Sequence, residues 1–164
     1  MSEKSTALEN LRTRIGNYLR ETVKRYEVTG DGSYSLRTGT TRVIINPRSL
    51  SGADKTIVSI FAFVAIDVNV TNELIRYLNE INKIITFGKF FVIEDKKFVI
   101  CQHSLLGATL DKDELAVGIA AVAYVSDQYD EEITKRFGGK RCRDAENEAL
   151  RRFPPGYTGQ TITG

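Results

Sequence analysis

His103 is the only histidine in the chain, and it follows Cys101 by two residues in a run that alternates like a strand. Alternate strand residues share a face, so the pair could point at one metal ion. A stable site needs further ligands, and no other His, Cys or carboxylate cluster accompanies these two. A strand-end histidine in partial contact with solvent is the simpler reading. With His103 as the sole available base, a Ser-His-Asp arrangement has one place to form and no motif to support it. Asp127, Asp130 and Glu131 share a helix face by spacing. Paired carboxylates do acid–base work only when burial or repulsion separates their pKa values, and beside Gln128, Glu132 and Lys135 these read as a solvated face. Gly30-Asp31-Gly32-Ser33 has the glycines of a phosphate loop but fails its pattern and precedes a strand instead of opening a helix, so it reads as a turn. The expectation is a non-enzymatic protein with no catalytic residue, no cofactor site and no metal ligand.

One basic concentration stands out, Lys140-Arg141-Cys142-Arg143, with Arg151-Arg152-Phe153 beyond it. It could meet an acidic partner or phosphates. Basic residues also gather at helix C-termini, where the dipole favours them. A formal net charge of +2 is too small for a dedicated nucleic-acid binder, and Lys89-Phe90-Phe91-Val92 lacks the glycine framework of an RNA-binding strand. A regulatory or assembly factor touching nucleic acid through the basic C-terminal segment stays as the alternative reading.

The elements that must position these residues follow from periodicity. Leu8, Leu11, Ile15, Tyr18, Leu19 and Val23 recur at helical spacing and predict a helix from about Ala7 to Tyr26, opened by a Thr6-to-Glu9 capping box. Tyr34–Arg37 and Thr41–Ile45 flank a Thr38-Gly39-Thr40 turn and predict a hairpin, with Pro47 closing the second strand. From Thr56 to Val68 both parities are apolar. Val58, Ile60, Ala62, Val64 and Ile66 line one face, and Ile57, Phe61, Phe63 and Ala65 the other, so this strand is central and covered on both sides. A second helix, about Asn72 to Ile85, is capped by Thr71 or Asn69 and turns Leu74, Leu78, Ile81 and Ile84 or Ile85 inward. Phe87-Gly88 ends it. Lys89–Ile93 and Phe98–His103 form a second hairpin through Glu94–Lys97. The longest helix runs from about Lys112 to Phe137, with an acidic start suited to its dipole. Gly118 in its middle costs about 1 kcal/mol against Ala, which predicts the close approach of another backbone. A short helix over Asp144–Arg152 and a Pro/Gly tail from Pro154 follow.

This order predicts an α+β fold, α-β-β-β-α-β-β-α, with a largely antiparallel sheet of about five strands flanked by three helices. The chain's 164 residues suit one domain with a real core. Its 41% hydrophobic and 27% charged content is that of a globular protein. The polar N-terminus does not read as a secretory signal, the most apolar run is too short for the roughly 20 residues of a membrane span, and Cys101 and Cys142 sit in unrelated contexts. A cytoplasmic protein with free thiols and no membrane partner is expected.

Apolar side chains are in surplus. Ile57, Phe61, Phe63, Phe90 and Phe91 exceed what three helices obviously need. They predict either a two-sided core or a surface for a protein or peptide client or a second copy of the chain, a homodimer.

The run Thr71-Asn72-Glu73-Leu74-Ile75-Arg76-Tyr77-Leu78-Asn79-Glu80-Ile81-Asn82, then Phe87-Gly88-Lys89-Phe90, Asp127-Gln128-Tyr129-Asp130 and Arg136-Phe137-Gly138-Gly139, resembles the type III secretion chaperone fold and the related YbjN-type domains. More narrowly it is similar to a cyanobacterial family of that fold. The resemblance spans roughly Leu8 to Gly139. It implies a chaperone-like domain over residues 1–139, with 140–164 as a basic C-terminal extension. It also implies a homodimer that holds an extended client segment on apolar patches. The pI near 8.5 departs from the acidic secretion chaperones.

Overall fold

The computed structural model describes residues 3–50 and 55–152; the Pro/Gly tail expected from Pro154 lies outside them. Helix α1 spans Glu3–Thr22, followed by strands β1 (Glu27–Val28), β2 (Tyr34–Thr38), β3 (Thr41–Ser49) and β4 (Thr56–Ile66). Then come helix α2 (Asn72–Ile84), strands β5 (Lys89–Ile93) and β6 (Phe98–Leu106), helix α3 (Lys112–Phe137), strand β7 (Lys140–Arg141) and helix α4 (Glu146–Arg152). The sheet is antiparallel in the order β1-β2-β3-β4-β6-β5, with β7 on β4. The fold is α+β with β4 internal, as its two apolar faces require, and it carries two short strands more than expected.

Local chemistry explains most boundaries. The Thr71 side chain accepts the Leu74 N–H and starts α2, while Asp111 does the same for α3 through Glu114. Of the two alternatives for the last inward residue of α2, Ile85 packs on the core and Ile84 is exposed. Helix α1 begins at Glu3, so Thr6 lies inside it and the expected capping box does not start the helix. It also ends at Thr22, four residues before Tyr26, because the chain must turn back to lay β1 against β2. Pro47 does not close β3. It sits inside the strand opposite Val58, at a stretch where only the β4 side is paired, so the missing N–H breaks no ladder.

Helices α1, α2 and α3 all lie on one face of the sheet. Leu11, Ile15, Leu19, Leu74, Leu78, Leu115, Val122 and Ile133 close over Val43, Ile45, Val58, Ile60 and Val99 there. The opposite, outer face carries a second cluster of Phe61, Phe63, Ile66, Phe98 and Ile100, covered by Cys142, Ala145, Ala149 and Leu150 of the C-terminal segment. The two faces are not a simple alternation along β4. An irregularity between Phe63 and Ala65 shifts the register and reverses the parity, sending Ala65 to the helix side and Ile66 to the outer side. Gly118 meets no backbone. A Cβ there would stand 2.8 Å from Ile60 Cδ1 and 3.5 Å from His103 Cδ2, so the glycine lets α3 settle on side chains of the sheet.

Candidate peptide interface

The groups with catalytic potential are dispersed. His103 faces the helix side, its ring edge-on to Phe87 with centroids 5.5 Å apart. Burial holds its imidazole below the usual value near 6.5, and Glu114 opposes that shift. Ser104 is adjacent in sequence but points to the outer face, where its hydroxyl accepts from Gln102 Nε2 at 3.4 Å, so no Ser-His pair forms. Burial pushes the Cys101 and Cys142 thiols up to about 12, and neither is a ready nucleophile. Among the described residues no three His, Cys, Asp or Glu side chains gather to hold a metal.

The carboxylates of α3 are not the solvated face that their spacing suggests. Asp127 accepts from the Thr40 and Thr41 hydroxyls at 2.6 and 2.7 Å and ties the β2–β3 turn to the helix. Asp130 is buried, 3.2 Å from the Arg143 guanidinium. Burial pushes its carboxyl above the usual range, and Arg143 and Arg141 offset part of that. Of Asp127, Asp130 and Glu131, Glu131 alone is exposed, paired to Lys135 at 2.6 Å. The basic concentration is also committed within the chain. Lys140 pairs with Glu148 at 3.2 Å, Arg141 with Asp144 at 2.7 Å, Arg143 with Asp130, and Arg152 with Asp67 at 2.7 Å.

The aromatic residues expected to form a partner surface do not share one. Ile57, Phe61, Phe63 and Phe91 face outward. Phe61 and Phe63 are almost fully buried, their rings edge-on at 5.8 Å. Phe91 is 36% exposed and lies on the edge strand. Ile57 sits opposite Leu106, which is 58% exposed. Phe90 points to the other face and is buried edge-on against Tyr129.

A broad opening lies elsewhere, at the β1 end of the sheet. β1 pairs with β2 for two residues and then diverges toward α1. This leaves a cleft of about 900 Å³ between residues 23–26 and the end of β2. Val23, Tyr26 and Leu36 supply apolar lining, with Lys24, Arg25, Arg37, Arg42 and Glu27 around it, Arg42 paired to Glu27 and both Arg37 and Arg42 to Glu146. The Thr29 N–H donates to the Ser33 carbonyl at 2.9 Å. Peptide groups alternate in direction along a strand, so those of Ser35 and Arg37 face the same way. Ser35 is opposite Glu27; among the described residues Arg37 has no strand opposite, and the alternation turns its N–H and C=O toward the cleft. Sequence reasoning missed this site because β1 is too short to carry a pattern. The usable signal was the Gly30-Asp31-Gly32 turn, which must bring the chain back antiparallel to Tyr34.

A second groove of about 580 Å³ runs between α3 and the end of β6. Phe87, Leu106 and Val117 give it apolar walls, and Asp111, Asp113 and Glu114 an acidic rim.

Three helices on one face of an antiparallel sheet and a short fourth on the other, with open grooves between elements, make an α+β domain that presents surface. Residues 9–145 match the family described as T3SS (YopN, CesT) and YbjN peptide-binding chaperone 1, and the chain belongs to that family. Among solved structures, the HopA1-SchA chaperone-effector complex contains a chain with a TM-score of 0.58 and 10% identity, covering 80% of this chain and 99% of that one. The crystal structure of the ExsC-ExsE complex contains one with a TM-score of 0.55 and 16% identity, covering 81% of this chain and 97% of that one. At these identities the likeness is one of fold. No curated protein matches the chain by sequence.

Proposed function

We propose that the protein is a non-enzymatic, chaperone-like module that holds an extended segment of a protein client. The observation that carries this reading is the cleft at the β2 edge. An incoming strand finds there an outward-facing peptide at Arg37, apolar lining and a basic surround, the elements of strand addition. The client then continues over the exposed part of the outer face, at Ile57 and Phe91, beside the C-terminal segment that covers Phe61 and Phe63. The basic surround favours acidic residues in the client.

The protein works as a homodimer in the cytoplasm on this reading. Ile84 at 74% exposure and Phe87, Leu106 and Val117 around the second groove are the apolar surface a second copy would cover. Among the described residues no helix is long and apolar enough to cross a membrane. The ion pairing of Lys140, Arg141, Arg143 and Arg152 within the chain supports a protein client over nucleic acid, since phosphates would have to displace those carboxylates.

Selection of phage-displayed random peptides on the immobilised protein tests the reading. Enriched peptides are expected to mix acidic with β-branched or aromatic residues and to lose binding on Arg37→Glu or Tyr26→Ala. No enrichment, or binding indifferent to both substitutions, overturns it. Sedimentation at micromolar concentration tests the dimer; a sharp 18.4 kDa species unchanged on concentration overturns that part.

A further inference from the structure

The C-terminal segment occupies the outer face as a ligand would. The family match ends at residue 145, and α4, at Glu146–Arg152, lies beyond it. What α4 and the residues before it cover is large and aromatic, namely Phe61, Phe63, Ile66, Phe98 and Ile100. Among the described residues the segment contributes Cys142, Ala145, Ala149 and Leu150 to this cluster. A cavity of about 20 Å³, room for about one water, is lined there by Ser126, Asp130, Cys142 and Glu146.

Its attachment is slight. β7 pairs with β4 through two residues, Lys140 and Arg141. α4 has seven residues, far short of the length at which a helix holds by itself. The rest is polar clamping at three points, the innermost being Arg143 on the buried Asp130 at 3.2 Å. Arg37 and Arg42 both donate to the Glu146 carboxylate. At the other end Arg152 donates to Asp67 and to the Lys96 carbonyl, each at 2.7 Å, and lies 4.5 Å over the Phe98 ring. The Arg152–Asp67 pair is reached by water on both sides, and such pairs hold weakly and exchange readily.

We propose that residues 140–152 are a displaceable strap over a second protein-binding surface, and that the occupant replacing it is a helical segment of a partner with the strap's own chemistry. That chemistry is an acidic residue for Arg37 and Arg42, small and apolar residues three and four positions on for Phe63 and Phe98, and a basic residue six positions on for Asp67, as in Glu146, Ala149, Leu150 and Arg152. Arg37 and Arg42 also border the β2-edge cleft, so a client held there meets the strap directly. The identity of the occupant rests on the peptide-binding reading, whereas the opening of the strap does not.

The two cysteines report the opening. Cys142 lies under the strap and Cys101 under α2 and α3 on the other face. In the full-length protein, alkylation followed by mass spectrometry is expected to modify Cys142 well ahead of Cys101. Glu146→Lys is expected to speed Cys142 by about tenfold or more, as the open population rises, without changing Cys101. Arg152→Glu, at the opposite clamp, is expected to act likewise and serves if Glu146→Lys folds poorly. A synthetic peptide of residues 140–152, with serine for its cysteine, should then bind the Glu146→Lys protein saturably and restore protection, while the same peptide carrying Glu146→Lys should not. Equal rates at the two cysteines mean that the strap opens only with global unfolding and overturn the proposal. Absence of peptide binding to the opened protein overturns the docking surface. Neither result touches peptide selection at the β2 cleft, which stands or falls on the intact protein.

Discussion

The side chain of Asn82 closes the free edge of the sheet at Phe90: its Nδ2 donates to the Phe90 carbonyl at 2.9 Å and its Oδ1 accepts the Phe90 N–H at 2.8 Å. One amide thus satisfies both outward polar groups of a peptide that would otherwise template another strand. Lys89 reinforces the arrangement by donating to the Asn82 and Ile85 carbonyls at 2.9 and 3.2 Å, which caps α2. At the opposite edge Arg37 has no such partner strand or amide among the described residues. The two edges differ in kind.

Asn82→Ala removes that closure. It should destabilise the protein by about 1–3 kcal/mol, because a part-buried N–H and C=O lose their partners. It should also raise self-association through β5. Urea denaturation and sedimentation check both, and a variant that is as stable and as monodisperse as the parent contradicts the edge-closing role.

Gly139→Ala should be among the most damaging single substitutions. Gly139 has φ +85°, and a Cβ would stand 2.3 Å from the Ile66 carbonyl oxygen and 3.0 Å from the Val68 nitrogen. Neither atom can rotate away, so β7 must leave β4. A cost of about 3 kcal/mol or more is expected from strain and lost packing together, read from the shift in denaturation midpoint.

Gly118→Ala should be mild by contrast. Its Cβ meets the Ile60 Cδ1 at 2.8 Å, the end of a side chain with rotamers to spare. The gain of about 1 kcal/mol in helix propensity offsets much of the repacking. A net change within about 1 kcal/mol is expected, against about 2–3 kcal/mol lost for Gly118→Leu. Comparable losses for both would mean that α3 cannot shift over the sheet at all.

Stability should decline on mild acidification through one residue. Burial keeps the folded His103 below its ordinary value near 6.5. An unfolded chain therefore takes up this proton at higher pH than the folded one, and stability falls as pH drops below about 6.5 toward the folded pKa. His103→Asn should flatten that slope, since no other histidine exists. Denaturation midpoints measured across about pH 7.5 to 5.5 decide it; parallel slopes for parent and variant contradict the burial argument.

Local patterns alone determined a good deal. The acidic start at Asp111–Glu114 and the terminal Gly138-Gly139 marked α3, which the structure has at Lys112–Phe137. The double apolarity of β4 marked it as central, because no half-exposed strand is built that way. The single histidine and the isolated cysteines set the expectation of a binding protein. Those signals are carried by neighbours three or four residues apart, within reach of periodicity. What covers the outer face was decided only in three dimensions. Phe61 and Phe63 are buried by Cys142 and Ala149, which lie about 80 residues further along the chain. The irregularity after Phe63, which sends Ile66 outward, depends on fitting β6, and no local rule announces it. Phe90 and Phe91 are indistinguishable by type, yet register against Cys101 and Ile100 buries one beneath Tyr129 and exposes the other. The cleft at Arg37 exists because β1 stops after two residues, and its length is set by where α1 must sit on the core. Pairing partners and covering elements are long-range choices, settled by the summed burial of the whole fold.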